Sequence, residues 1–228
     1  MPRARLRLVC FPYAGGAANV FRTWHTSLPE DVEVIAVQYP GRQDRLAEPA
    51  IGEMGPLVER VTEALERLPG RPSVLFGHSM GASVAYEVAQ RLAVGPALLV
   101  VAGHNAPHRA EAKPVPHTDG EVIAEVRLVE GAHELLADPD LRELAMPSLR
   151  ADYRLIRGYL PTAHARQVTM PIVAYTGLRD PTVALDTVRA WSELTTATFE
   201  LVSFPGGHFF VDSDARAVLA DLAGRLSG

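Results

Sequence analysis

The pentapeptide Gly77-His78-Ser79-Met80-Gly81 holds a serine in a setting that is typical of a catalytic nucleophile. A short apolar run (73–76) precedes it and a helix-like stretch (82–92) follows it, which predicts a strand, a sharp turn and a helix. On such a turn the hydroxyl points away from the sheet, and glycine two residues to either side removes Cβ atoms that would clash. We interpret Ser79 as the nucleophile of a hydrolytic reaction.

A serine hydroxyl is a weak nucleophile at neutral pH, so Ser79 needs a general base. His208 is the one histidine that lies late in the chain in a loop context, Pro205-Gly206-Gly207-His208, directly after the last predicted strand. We predict that it is the base. His78 is expected to be structural, because the turn itself fixes it, whereas His104 and His108 follow a strand end and could line the pocket. The other four are expected at the surface: His25, His117, His133 and His164.

The base in turn needs an acid to orient it, and in this architecture the acid lies between the nucleophile and the histidine in chain order. Asp180 meets this condition, since it follows the predicted strand 172–176 on a turn and precedes Pro181. The loop after the strand 97–102 is the other allowed position, and it contains no acid. An alternative for Asp180 is the N-cap of the helix predicted from residue 183.

The oxyanion of a tetrahedral intermediate needs two backbone N–H donors. Met80, which follows the nucleophile, is predicted to supply one. The second is assigned to Ala14, in the glycine-containing loop that follows the first strand. That loop lacks both the G-x-G-x-x-G spacing and the lysine of a phosphate-binding loop, which argues against the alternative of a nucleotide site.

These residues must be positioned by a sheet, and the pattern of the chain predicts one. Short β-branched and leucine-rich runs alternate with amphipathic helical stretches, which indicates an α/β fold with a mostly parallel sheet covered on both faces. The predicted strands are 5–11, 32–37, 73–76, 97–102, 172–176 and 199–204. The predicted helices between them are 20–27, 51–68, 81–93, 183–194 and 214–226.

Residues 108–167 interrupt this alternation, because they contain helical patterns (119–128, 133–137 and 140–159) and no convincing strand. Sixty residues are too many for a plain connection in a compact domain. We therefore predict a helical lid, inserted within a single domain of residues 1–228 and folded over the site. The alternative is a set of extra helices packed on the edge of the sheet.

Composition excludes several functions. A net charge of −5 argues against a nucleic-acid partner, and no apolar stretch reaches the length of a membrane span or of a secretion signal. The single cysteine, Cys10, cannot form an internal disulfide and is expected as a packed thiol in a reducing cytoplasm. Ligand spacing for a metal is absent, and so is a nicotinamide or flavin motif, so we expect no metal and no cofactor.

Arg150, Arg154 and Arg157 recur at helical spacing within the lid and form a basic stripe. A solvated helix face is the favoured interpretation. As a hypothesis, the stripe could instead meet an acidic protein partner.

The chain resembles the type II thioesterases of polyketide and nonribosomal peptide biosynthesis, which are free-standing α/β-hydrolases, over nearly its full length. The resemblance rests on these motifs: Cys10-Phe11-Pro12-Tyr13-Ala14-Gly15-Gly16 with Phe21 and Trp24, Tyr39-Pro40-Gly41-Arg42, Gly77-His78-Ser79-Met80-Gly81-Ala82 with Tyr86-Glu87, Leu136-Ala137-Asp138-Pro139, Pro147 with Leu149-Arg150-Ala151-Asp152-Tyr153, Gly177 with Arg179-Asp180-Pro181, and Phe204-Pro205-Gly206-Gly207-His208-Phe209-Phe210. Tyr13 stands where many relatives carry histidine, and residues 115–130 follow the family less closely.

The resemblance implies a cytoplasmic enzyme that hydrolyses the thioester between an acyl chain and the phosphopantetheine arm of an acyl or peptidyl carrier protein, for editing or for release. We expect it to act as a monomer. In the family pattern Ser79 is the nucleophile, His208 the base and Asp180 the acid, with Met80 and Ala14 as the oxyanion donors. Three alternatives remain: a carboxylesterase or lipase for small free esters, an acyl transferase to a nucleophile other than water, and a non-catalytic ligand receptor on the same fold.

Overall fold

Six parallel strands form the centre of the protein in the computed structural model, which describes residues 4–109, 113–129, 138–160 and 166–227. They are β1 (Leu6–Phe11), β2 (Val32–Ala36), β3 (Ser73–His78), β4 (Leu98–Ala102), β5 (Ile172–Gly177) and β6 (Phe199–Phe204). Their order across the sheet is β2-β1-β3-β4-β5-β6, with every neighbouring pair parallel. The predicted parallel sheet is confirmed, and all six predicted strands are present.

Helices lie between these strands and after the last one. In chain order they are α1 (Met54–Glu66), α2 (Met80–Ala89), α3 (Asp119–Arg127), α4 (Pro139–Gly158), α5 (Leu185–Arg189), α6 (Phe210–Ser213) and α7 (Ala215–Leu226). Short 3₁₀ turns occur at Ala18–Phe21, Trp24–Thr26, Gln43–Arg45, Pro107–Arg109 and Ala190–Leu194. Within the described parts of the chain, none of the helices combines the length and the apolar character that crossing a bilayer requires.

Both faces of the sheet are buried, because successive side chains of a strand point to opposite faces. Along β1, Val9 and Phe11 join a core that includes α1 and α2, whereas Leu8 and Cys10 join a second core that includes α7 and the turns after β1. The prediction of helices on both faces is therefore confirmed. Cys10 is fully buried as expected, and this burial raises the pKa of its thiol.

Two predicted helices differ from the structure. In place of the predicted helix 20–27 there are two 3₁₀ turns, Ala18–Phe21 and Trp24–Thr26, and the buried Phe21 and Trp24 lie three residues apart and contact each other edge-to-face. Three residues complete one 3₁₀ turn, so this spacing brings both rings to the same side. In the predicted helix 183–194, only Leu185–Arg189 is α-helical, and a 3₁₀ turn follows.

The segment between β4 and β5 contains α3 and α4, and no strand occurs in its described residues. A capping box of Thr118 and Glu121 begins α3, and the Asp138 side chain caps α4. The two helices share a small apolar core of their own, separate from the two sheet cores. The helical pattern predicted at 133–137, which includes His133, lies outside the described residues, and so does His164.

We predict that Phe76→Ala lowers the free energy of unfolding by about 3–5 kcal/mol, as removal of a buried aromatic ring does. Phe76 is fully buried in β3, where its ring contacts those of Trp24, Phe21 and Tyr175. Urea denaturation measures the change. Val94→Ala, at a side chain that is 83% exposed, is the control and should stay within about 0.5 kcal/mol of the wild type. A loss below about 1 kcal/mol for Phe76→Ala would contradict the packing described.

Candidate active site

Ser79 lies on a sharp turn between β3 and α2, with φ 53° and ψ −121°. This backbone region is rarely adopted by residues other than glycine, and it costs about 1–3 kcal/mol. The surrounding packing holds the turn in place: the Ser79 N–H donates to the Ala102 carbonyl at 2.8 Å. A Cβ at Gly77 would collide with the Gly81 carbonyl, and one at Gly81 would collide with the Phe11 carbonyl. Both glycines are therefore required by close backbone packing.

The structure brings Ser79, His208 and Asp180 into one hydrogen-bonded row. Each follows a different strand at its carboxyl end, namely β3, β6 and β5. His208 Nε2 lies 3.0 Å from Ser79 Oγ, and His208 Nδ1 lies 2.6 Å from Asp180 Oδ2. With the proton assigned to Nδ1, the imidazole donates to the carboxylate and accepts from the serine hydroxyl. This arrangement can transfer the serine proton to the imidazole.

The Asp180 carboxylate is held by a residue that sequence reasoning missed. Thr182 donates to Asp180 Oδ1 from its backbone N–H at 2.8 Å and from its hydroxyl at 2.6 Å. Burial would raise the pKa of Asp180, but the hydrogen bonds from His208 and Thr182 and the attraction of His208 outweigh it and hold the pKa below its ordinary value. The alternative of an N-cap is wrong, because α5 begins after Ala184. The Asp-Pro-Thr order, typical of a turn closed by the aspartate side chain, was the available signal.

The two residues predicted as oxyanion donors both line a cavity that reaches Ser79. Met80 is the first residue of α2, where backbone N–H groups have no partner within the helix and the helix dipole favours negative charge. Ala14 lies in a tight turn closed by a hydrogen bond from the Gly16 N–H to the Tyr13 carbonyl at 2.9 Å. Their role as donors stays a prediction.

His78 and His104 surround His208 without joining the row. His78 is 1% exposed, and its Nε2–H donates to the His208 carbonyl at 2.9 Å, which agrees with the structural role expected for it. Burial, with the repulsion of His208, lowers the pKa of His78 to about 3 and that of His104 to about 4. His104 lines the cavity at Ser79, whereas the ring of His108 contacts Glu193.

Two cavities meet at Ser79 and His208. The first, about 480 Å³, is lined partly by polar and charged side chains, among them Asn105, Thr187 and Lys113. The second, about 870 Å³, is lined largely by apolar residues of α3 and α4, among them Val126, Leu141, Leu144 and Leu149. In the described residues, no group of three or more His, Cys, Asp and Glu side chains is arranged to hold a metal ion.

The basic stripe on α4 is largely neutralised within the protein. Arg150 forms an ion pair with Asp119, and Arg157 forms one with Glu125, both on α3. The side chain of Arg154 lies beside Gly52. The two ion pairs join α3 to α4, and they leave less free charge for a partner than the sequence suggested.

A protein-family model with the description "Thioesterase domain" matches residues 6–226 of this chain. A probable cadicidin biosynthesis thioesterase of Streptomyces griseus is 38% identical over 227 residues, which cover 97% of this chain and 62% of that protein. The thioesterase PikA5 of Streptomyces venezuelae is 40% identical over 233 residues, which cover 99% of this chain and 82% of that protein. This chain thus spans slightly less than two thirds of the length of the first relative.

Solved structures agree with these relatives. The RedJ thioesterase from the prodiginine biosynthetic pathway in Streptomyces coelicolor superposes with a TM-score of 0.89 at 37% identity, covering 98% of this chain and 86% of that one. The type II thioesterase BorB from the borrelidin biosynthetic cluster superposes with a TM-score of 0.90 at 37% identity, covering 99% of this chain and 94% of that one. The α/β-hydrolase fold predicted from the sequence is confirmed, as is the resemblance to type II thioesterases.

We predict that His78 makes stability fall with acid. Its pKa is about 3 in the folded protein, and an unfolded histidine has a pKa of about 6.5. Between these values the unfolded chain binds more protons, so the free energy of unfolding decreases as pH falls, by up to about 1.4 kcal/mol per pH unit from this residue. Urea denaturation at pH 7, 6, 5 and 4 measures the slope.

The matched variant is His78→Gln, which keeps an N–H donor for the His208 carbonyl and removes the titrating group. Its slope between pH 6 and 4 should be smaller than that of the wild type by about one proton. Identical slopes in both proteins would show that His78 does not titrate on unfolding.

Proposed function

The chain belongs to the thioesterase domain family, and we propose that it hydrolyses the thioester between an acyl chain and the phosphopantetheine arm of an acyl or peptidyl carrier protein. The observation that carries the proposal is the hydrogen-bonded row of Ser79, His208 and Asp180, in a chain that aligns along nearly its whole length with biosynthetic thioesterases.

The proposed reaction has two steps. The Ser79 oxygen attacks the thioester carbonyl while His208 Nε2 takes the hydroxyl proton, and the tetrahedral oxyanion accepts hydrogen bonds from the N–H groups of Met80 and Ala14. Collapse breaks the C–S bond, and the pantetheine thiol leaves with the proton from His208. Water then attacks the acyl-serine, again giving its proton to His208, and releases the free acid and Ser79. Asp180 keeps the imidazole oriented and stabilises its positive charge.

We further propose that α3 and α4 act as a lid. They line both cavities at Ser79, so the reacting carbonyl lies under them and away from bulk water. Two cavities suit a substrate that extends in two directions from its carbonyl, with an acyl chain on one side and a pantetheine arm on the other. The apolar character of the larger cavity favours the acyl chain there.

The cellular setting follows from the proposed substrate. Carrier proteins of polyketide and nonribosomal peptide assembly are cytoplasmic, so we propose the same compartment for this enzyme, acting on stalled or finished chains. Action as a monomer stays a prediction, as does the expectation that neither nucleic acid nor a cofactor takes part.

We predict that Ser79→Ala abolishes turnover, by about 10⁴-fold or more, while leaving the melting temperature close to that of the wild type, because the nucleophile is removed and the packed backbone is kept. Release of the free acid from an acyl-carrier protein is the assay. Ser227→Ala is the matched control, since that exposed hydroxyl donates to the Ala223 carbonyl near the end of α7, and it should keep full activity. Turnover retained by purified Ser79→Ala would refute the assignment of the nucleophile.

We also predict that kcat/KM for an acyl-carrier protein exceeds that for a p-nitrophenyl ester of the same acyl group by at least about tenfold, corresponding to about 1.4 kcal/mol of added recognition. A panel of acyl groups on one carrier protein defines the chain-length preference. A preference for the free ester would favour a carboxylesterase or lipase. Amide formation in the presence of competing amines would favour acyl transfer, and binding without turnover would favour a ligand receptor.

A further inference from the structure

We propose that Asp152 and Arg42 are positioning residues through which helix α4 fixes the backbone conformation of the oxyanion loop, defined as residues 13–16. The inference rests on the proposed function, because it takes the Ala14 N–H of that loop as an oxyanion donor. Neither residue reaches the reacting atoms in this role. They act on the backbone to either side of the donor.

Asp152 lies on α4, far from the loop in sequence, and contacts it directly. Its Oδ2 accepts a hydrogen bond from the Gly15 N–H at 2.7 Å. Gly15 has φ +78°, and a Cβ there would lie 2.6 Å from Leu149 Cδ2, so α4 also packs tightly against this turn. The peptide N–H directly after Ala14 is thus held by a carboxylate of the lid.

Arg42 completes the arrangement from the other side. Its two Nη atoms donate to the two carboxylate oxygens of Asp152, both at 2.8 Å, and Nη1 also donates to the Gly16 carbonyl at 2.9 Å. The guanidinium lies over the ring of Tyr39, whose hydroxyl donates to the Pro12 carbonyl at 3.4 Å. Backbone groups on both sides of Ala14 are therefore held by side chains.

The free-energy penalty for burying the Arg42–Asp152 ion pair indicates that its main role is something other than stability. The side chains of Arg42 and Asp152 are only 8% and 2% exposed. Burying two charges is expensive, and apolar residues of similar volume often give equal or greater stability. What apolar residues cannot supply is direction: the planar guanidinium and the carboxylate fix the positions of particular N–H and C=O groups.

The consequence is a coupling between lid position and catalytic geometry. When α4 rests on the loop, Gly15 and Gly16 are fixed and Ala14 is held in place between its neighbours. When α4 moves away, the Gly15 N–H loses its acceptor and Arg42 loses its carboxylate. A displacement of about 1 Å in a group that positions the reaction can lower the rate by about 10²-fold.

The test is Asp152→Asn, assayed with an acyl-N-acetylcysteamine thioester and with a p-nitrophenyl ester of the same acyl group. Asparagine keeps an acceptor for the Gly15 N–H and loses the charged, two-oxygen contact with Arg42. We expect kcat per titrated active site to fall by about 10- to 100-fold, with KM changed by less than about threefold. Affinity for an acyl trifluoromethyl ketone, which forms an oxyanion on Ser79, should fall by the same factor as kcat/KM.

Arg42→Lys is the second variant, since it retains a positive charge beside Asp152 and should fold even if Asp152→Asn does not. A single ammonium group cannot match the planar fork, so we expect a smaller loss in kcat of about tenfold, with a parallel loss in trifluoromethyl ketone affinity. Arg150→Gln is the matched control on the same helix: it breaks the ion pair with Asp119 and does not contact the loop, so its kcat should equal that of the wild type.

The outcomes are distinct. A lower melting temperature with unchanged kcat per active site and unchanged inhibitor affinity would overturn the positioning role and leave the pair structural. An equal loss of kcat in Arg150→Gln would also overturn it, because any weakening of the lid would then suffice. If the wild type releases no free acid from an acyl-carrier protein, the proposed function fails, while the inhibitor and ester data still decide the role of the pair.

Discussion

The site depends on how closely the backbone around Ser79 packs against the end of β1. Gly81 lies so near to the Phe11 carbonyl that no side chain fits between them, and Gly77 lies equally near to the Gly81 carbonyl. This contact keeps Ser79 in its unusual conformation and begins α2 at the next residue. It also brings the loop after β1 beside the nucleophile. One packing constraint therefore places the serine and the backbone donors proposed for its oxyanion.

Around this backbone, burial and hydrogen bonding determine which groups carry charge. Asp180 remains ionised because His208 and Thr182 donate to it, whereas His78 stays neutral because it is buried beside His208. A neutral His78 places no positive charge next to the base. The imidazolium that forms on His208 during the proposed reaction would thus face one carboxylate and no competing cation from His78.

Much of this could be predicted from the sequence, because the determining signals are local. The alternation of apolar strands and amphipathic helices predicted the sheet, and the glycines around Ser79 predicted the turn. Chain order selected Asp180 and His208, which the fold then brings within hydrogen-bond distance of each other and of Ser79. Other features depend on tertiary packing. The chain forms 3₁₀ turns at Ala18–Phe21 and Trp24–Thr26, where the Phe21 and Trp24 rings contact each other within one apolar core. No local pattern links Arg42 to Asp152, 110 residues further along the chain.

The contact between Arg42 and Asp152 gives the proposed lid a property that an apolar contact would lack. A cover that only excluded water could meet the loop with apolar side chains, as Leu149 does against Gly15. Apolar contacts tolerate sliding, because dispersion has little directional preference. A contact between a guanidinium and both carboxylate oxygens does not tolerate sliding, since its hydrogen bonds weaken steeply when they bend. The ionic contact therefore gives α4 one defined resting position on the loop. Under the proposed roles of the lid and of Ala14, covering the substrate and aligning the backbone donor would then occur together.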